Sequence, residues 1–261
     1  MTIPLEEKGK IFADLHNQDE PFVIANVFDA NSAQLMAELG FKALATSSWV
    51  QAHMIGKADG EATREEALAH ASIIADSTEL PVSGDLVNGF GDAPDDVATT
   101  IREAASIGLV GCSIEDASGN PDAPIYELSH AVERIEAAAE SAANLPFKFT
   151  LTARNENYMN NISDMDDTIR RLQAFEAAGA DVLMAPGLPN LEAVQTVCAK
   201  LNKPVNFMAG IPGRSYDIAE LAVAGVARIS LATSLYNVAL GAIRDAAGEI
   251  INHGTFGYIN D

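Results

Sequence analysis

Short apolar runs alternate along this chain with longer segments whose apolar positions recur at helical spacing. The short runs are Phe22–Phe28, Ala43–Ser47, Val82–Val87, Gly111–Glu115, Lys148–Arg154, Asp181–Pro186, Val205–Ala209 and Ala227–Ala232, and each reads as a strand. The pattern predicts a helix after each: Asn31–Leu39, Arg64–Ser77, Pro94–Ser106, Ser129–Ala143, Met165–Ala178, Leu191–Leu201, Ile218–Ala224 and Val238–Ile251. One further helix, Leu5–Asn17, precedes the first strand. Gly40, Gly108, Gly179 and Gly225 close four of these helices just before a strand, where glycine takes the left-handed C-cap without strain.

Eight strand–helix pairs in 261 residues predict a single α/β domain, a (β/α)8 TIM-type barrel of parallel strands spanning residues 1–261. An open doubly wound sheet is the alternative. The first strand-to-helix turn, Phe28-Asp29-Ala30-Asn31, lacks the glycine fingerprint of dinucleotide folds and counts against it.

In a barrel the C-terminal ends of the strands meet at one face, and here those ends carry chemistry. Leu80–Val82 runs into Asp85 and the Gly89-Phe90-Gly91 turn, Ile114 into Glu115-Asp116, and Leu151–Ala153 into Arg154-Asn155-Glu156. Ser47, Ser48 and Trp49 follow the second strand, with Asp59 further along that loop, and Asn206 lies on the seventh strand; with Arg154, the two serines, Trp49 and Asn206 are the candidate substrate contacts. Asp59, Asp85 and Glu115 make a hard, oxygen-rich set that suits Mg²⁺ or Mn²⁺ better than zinc. Arg154 offers a planar fork for a substrate anion, and amides around Ser47–Trp49 are candidate oxyanion donors. His53 reads as a loop histidine rather than a general acid or base, and Asp116–Tyr126 as a long loop that either gates the site or is simply solvated.

Composition narrows the partners. A formal charge of −21 excludes a nucleic-acid surface, and it requires a local cation wherever an anionic substrate binds. No apolar stretch is long enough to span a membrane and the first ten residues are too polar for a signal peptide, so a cytoplasmic protein is expected. Cys112 and Cys198 are the only cysteines and read as reduced thiols within a strand and a helix.

Ala45-Thr46-Ser47-Ser48, Gly56 with Asp59, Asp85 with Gly89-Phe90-Gly91, Gly111-Cys112-Ser113-Ile114-Glu115-Asp116 and Leu151-Thr152-Ala153-Arg154 together resemble the isocitrate lyase/phosphoenolpyruvate mutase superfamily. The similarity runs in order from about Pro21 to Tyr236. The resemblance implies a Mg²⁺-binding barrel that makes or breaks a C–C or P–C bond in a small 2-oxo or dicarboxylic acid beside an enolate. By position, Asp59, Asp85 and Glu115 match metal-site acids acting mostly through water, while Ser47 and Arg154 match substrate contacts. It also implies a homo-oligomer, commonly a tetramer, that exchanges its last helix, here within Val238–Ile251. The family's second metal acid is replaced by Val87, and the loop Asp116-Ala117-Ser118-Gly119-Asn120-Pro121 carries neither lysine nor cysteine. The expected activity is a Mg²⁺-dependent lyase or decarboxylase, with Ser118 or Asn120 completing the closed site. The alternatives are a phosphonate mutase or hydrolase, and a barrel that binds a metabolite without turnover.

Overall fold

Alternation of inward and outward residues along the strand runs curls them into a cylinder. The computed structural model describes residues 3–259. Its strands are β1 (Phe22–Asn26), β2 (Leu44–Ala45), β3 (Val82–Asp85), β4 (Gly111–Glu115), β5 (Thr150–Arg154), β6 (Val182–Met184), β7 (Val205–Met208) and β8 (Arg228–Ser230). They form a closed parallel barrel in sequence order, with β8 pairing back onto β1. The (β/α)8 class is therefore as the sequence predicts.

On β5, Leu151 and Ala153 face outward into the core, while Thr152 and Arg154 face the barrel interior. The same alternation on each strand leaves an apolar layer between barrel and helices. Helix α5 (Pro94–Ser106) buries Val97, Ile101, Ala104 and Ala105, and α6 (Leu128–Ala143) buries Ala131, Ile135, Ala138 and Ala142, each set at helical spacing along one face. Burying a side chain such as Ile101 is worth about 1.5–3 kcal/mol.

Helix α1 (Leu5–Leu15) closes the bottom of the barrel. Phe12 and Leu15 pack against Phe22, Ile24 and Val110 in a second apolar cluster. The fit demands two glycines: a Cβ on Gly111 would lie 2.8 Å from the Phe12 ring, and one on Gly9 would lie 2.2 Å from the Lys148 carbonyl oxygen.

The other helices are α2 (Ala30–Glu38), α3 (Ser48–Met54), α4 (Arg64–Asp76), α7 (Met165–Ala177), α8 (Leu191–Ala199), α9 (Ile218–Val223) and α10 (Ser234–His253). Two departures from the sequence reading matter. The chain after β2 is helical rather than a plain loop, because Ser47 N-caps α3 through the Val50 amide. Helix α10 begins earlier than expected, at Ser234, and buries none of its side chains. Strands are also shorter than their apolar runs; β2 stops at Ala45 because Thr46 and Ser47 turn to serve the site above. No described helix is long and apolar enough to cross a membrane.

Candidate active site

Parallel register places the charged strand ends side by side. Glu115 pairs with Arg154 across β4 and β5, and Asp85 pairs with Ser113 across β3 and β4. Asp85, Ser113 and Arg154 open onto a cavity of about 400 Å³ at the C-terminal mouth, whose lining also includes Ser47, Ser48, Trp49, Asp59 and Asn206. A larger groove of about 1300 Å³ runs outside it against α4 and α5 and reaches Asp59, Glu115 and Val87 from the other side.

Asp85 is fixed from several directions. Its Oδ2 accepts from the Ser48 amide at 3.0 Å, its Oδ1 accepts from Ser113 Oγ at 3.2 Å, and its own amide donates to Thr46 Oγ1 at 2.8 Å. Of the amides around Ser47–Trp49 expected as oxyanion donors, that of Ser48 is thus engaged by Asp85. Arg154 sits among carboxylates: its NH1 is 3.8 Å from Asp85 and 3.5 Å from Glu115, while its Nε bonds Glu156. Burial would lower the Arg154 pKa, but Glu156, Glu115 and Asp85 more than reverse that and raise it.

The acids hold one another's protons. Burial, opposed by Arg154 and reinforced by Glu156, Asp85 and Asp59, raises the Glu115 pKa well above the ordinary glutamate value. Asp59 stands at the rim and is also raised, by desolvation of its carboxyl group and then by Asp85. Even so, no group of three His, Cys, Asp or Glu side chains among the described residues lies close enough to hold one metal ion directly. Asp85 and Glu115 approach the Arg154 guanidinium instead, and the metal set expected from the sequence is one whose acids act mostly through water.

Trp49 walls the cavity, stacks on His53 at 3.5 Å between ring centroids, and meets Tyr236 edge-on. His53 is exposed on α3, and its Nδ1 pairs with the Trp49 carbonyl. Asn206 is buried with both amide atoms occupied, Oδ1 by Arg228 and Nδ2 by Ser230. Ser118 and Asn120 turn back into their own loop, where Ser118 Oγ donates to the Ala123 carbonyl and Asn120 Oδ1 accepts from the Asp122 amide. An antiparallel bridge between Ala117 and Ile125 makes this segment a hairpin, and Ala117 and Gly119 line the outer groove.

Glu156 was visible in the sequence as a strand-end acid two residues past Arg154, yet its pairing with that arginine needed the structure. Beneath it, Asp116 accepts from Asn155 Nδ2 and the Glu156 amide, and Arg171 approaches at 3.4 Å. Burial outweighs those donors and pushes the Asp116 carboxyl up to about 6. Arg134 holds the glycine turn that carries Asp85 by donating to the carbonyls of Asn88, Gly91 and Asp92 while lying over the Tyr126 ring.

Residues 12–251 match the family of phosphoenolpyruvate phosphomutase. The chain belongs to that family. Within the wider PEP mutase/isocitrate lyase superfamily it is similar to an oxaloacetate decarboxylase of Paraburkholderia xenovorans, 28% identical over 92% of this chain and 80% of the relative. It is also 28% identical to the 2-methylisocitrate lyase of Escherichia coli, over 77% of this chain and 69% of that enzyme. A solved structure from Burkholderia cenocepacia, provisionally described as a lyase/mutase, superposes with a TM-score of 0.96 at 46% identity, covering 98% of this chain and 92% of that one. As a phosphoenolpyruvate phosphomutase family member, the chain keeps Asp59, Asp85 and Arg154 in one cavity, with Glu115 and Val87 lining the outer groove.

Proposed function

We propose that this chain is a carbon–carbon lyase or decarboxylase acting on a small 2-oxo or dicarboxylic acid, with Mg²⁺ or Mn²⁺ at the acidic side of the mouth. The observation that carries this reading is Arg154, in the lining of the cavity, flanked by Asp85, Glu115 and Glu156. Asp85, Glu115 and Glu156 outnumber the Arg154 guanidinium they surround, and Glu115 and Asp59 are both pushed toward their protonated forms. That deficit of positive charge, in an all-oxygen donor set, suits a hard divalent ion. Asp85 would hold it directly and Asp59 and Glu115 through water, since the acids stand too far apart to ligate together. When bound, the ion supplies Lewis-acid stabilisation of negative charge growing on the 2-oxo oxygen.

The chain's own groups do the rest. Arg154 lines the cavity with its Nε anchored on Glu156, so its fork orients a substrate carboxylate without swinging. Ser47, at the head of α3, donates its hydroxyl to the same region, and Trp49, Met184 and Met208 give the pocket apolar walls that thin out water around the reacting carbon. The relatives named above act on C–C bonds, and the hairpin after β4 lacks a lysine or cysteine to serve a phosphonate.

Helix α10 supports an oligomer. Val238, Ile243 and Ile251 are 70%, 64% and 84% exposed. A second copy of the chain, exchanging this helix, covers that apolar face. Two unpaired cysteines fit a reducing compartment such as the cytoplasm.

The test is direct. Purified protein with Mg²⁺ is given oxaloacetate, 2-methylisocitrate or phosphonopyruvate, and pyruvate is assayed. Release from one of the first two is expected. Release from phosphonopyruvate alone would transfer the chain to P–C chemistry, and no turnover with no Mg²⁺-dependent oxalate binding would leave a non-catalytic barrel.

A further inference from the structure

Arg228 stands inside the barrel on β8, where an apolar or small residue would fill the core. It is 4% exposed and forms part of the cavity lining. Its Nε donates to Asn206 Oδ1 at 2.7 Å, one terminal nitrogen donates to Thr152 Oγ1 at 2.9 Å, and the other meets His16 Nε2 at 3.2 Å. Every one of these acceptors is neutral. His16 is buried and pushed down to about 3 by desolvation and then by Arg228 itself, and its Nδ1 faces the Phe12 carbonyl at 2.8 Å, which leaves Nε2 as the acceptor.

No carboxylate pairs with Arg228 among the described residues; the acids of the mouth pair with Arg154 instead. Burial alone lowers the Arg228 pKa, to about 9, with no acid pulling it back, so it is charged at neutral pH. A guanidinium carries more N–H donors than three acceptors use. The remaining N–H groups of this buried cation are open to an incoming anion at the cavity it lines.

Thr152, the partner of Arg228, precedes Arg154 by two residues on β5 and faces the same way. Thr152, to which the Arg228 fork is bonded, therefore sits one inward step, about 6–7 Å along the strand, below Arg154. The two cations line one cavity together with Ser83, Ser113 and Ser230.

We propose that Arg228 is a specificity-determining residue that binds the distal carboxylate of the substrate, selecting a dicarboxylate long enough to span that step. This rests on the reading above, in which the other carboxylate is held at the metal side near Arg154. A monocarboxylic 2-oxo acid leaves Arg228 unanswered, and oxalate is too short to reach it.

Isothermal titration with Mg²⁺ present tests this with oxalate and succinate as probes, on the wild-type chain, Arg228→Met and Arg228→Lys. Arg228→Met should lose about tenfold or more in succinate affinity, with Arg228→Lys recovering part of it, while oxalate affinity stays within about twofold. Equal succinate affinity in wild type and Arg228→Met, or no succinate binding by the wild type, would overturn the assignment. Should the variants fail to fold, the ¹⁵N resonance of Arg228 Nε–H in the wild type must move with succinate and not with oxalate; an unmoved signal likewise overturns it. Loss of Mg²⁺-dependent oxalate binding with the Arg228 response intact would instead sink the metal reading alone.

Discussion

Val87 shows how much one backbone position can say. It has a φ of +45°, a left-handed conformation that a β-branched residue adopts only under strain, and its carbonyl accepts the Glu115 amide at 2.9 Å. The turn keeps that geometry because it delivers Asp85 and Glu115 together. Val87→Asn, which tolerates the conformation, should raise stability by about 1 kcal/mol, read as a rise of about 2–4 °C in thermal denaturation. A lower midpoint would show that the valine side chain contributes more by packing than it costs in strain. Arg154→Lys keeps the charge but loses the fork, and should cost about 1.5–3 kcal/mol of oxalate binding at fixed Mg²⁺; unchanged affinity in calorimetry would make Arg154 purely structural. Asp85, Glu115 and Arg154 were legible because each ends an apolar run with a charge. Arg228 sits within the predicted strand Ala227–Ala232, and a cation inside a central strand was the available signal. Its partners come from β5, β7 and α1, which no local pattern connects.

At the scale of elements, hydrophobic periodicity found every strand and all the longer helices, since each must bury one face against the barrel. It missed α3, a seven-residue helix set by a single serine cap rather than by a period. It found α10 but said nothing of its environment, because an apolar stripe looks the same whether its partner lies within the chain or on a second copy. Ile243→Asp combined with Ile251→Asp should lower the assembly mass measured by light scattering while circular dichroism stays unchanged. An unaltered mass would mean that α10 is not the contact.

For the whole molecule, charge and protonation decide behaviour. His16 titrates at about 3 when folded against 6.5 ordinarily, so below pH 6.5 the unfolded chain takes up a proton that the folded one refuses. Its contribution is full above pH 6.5 and lost as pH falls toward 3, at up to about 1.4 kcal/mol per pH unit. Asp116 works oppositely between its ordinary value of 3.8 and about 6, because there the folded chain keeps the proton. The His16 share is isolated by comparing wild type with His16→Gln in urea at pH 7 and pH 5. The stability advantage of the wild type should shrink by about 2 kcal/mol; a constant difference would mean that His16 is protonated in the fold. The formal charge of −21 also repels dianions at long range, so added salt should lower KM at saturating Mg²⁺.

With Asp85, Glu115 and Glu156 all leaning on Arg154, the mouth carries an internal counterion of its own. Chelation should therefore silence the protein without melting it. Treatment with EDTA would leave the circular dichroism spectrum in place, and restored Mg²⁺ would revive activity within the mixing time rather than on the slower schedule of refolding.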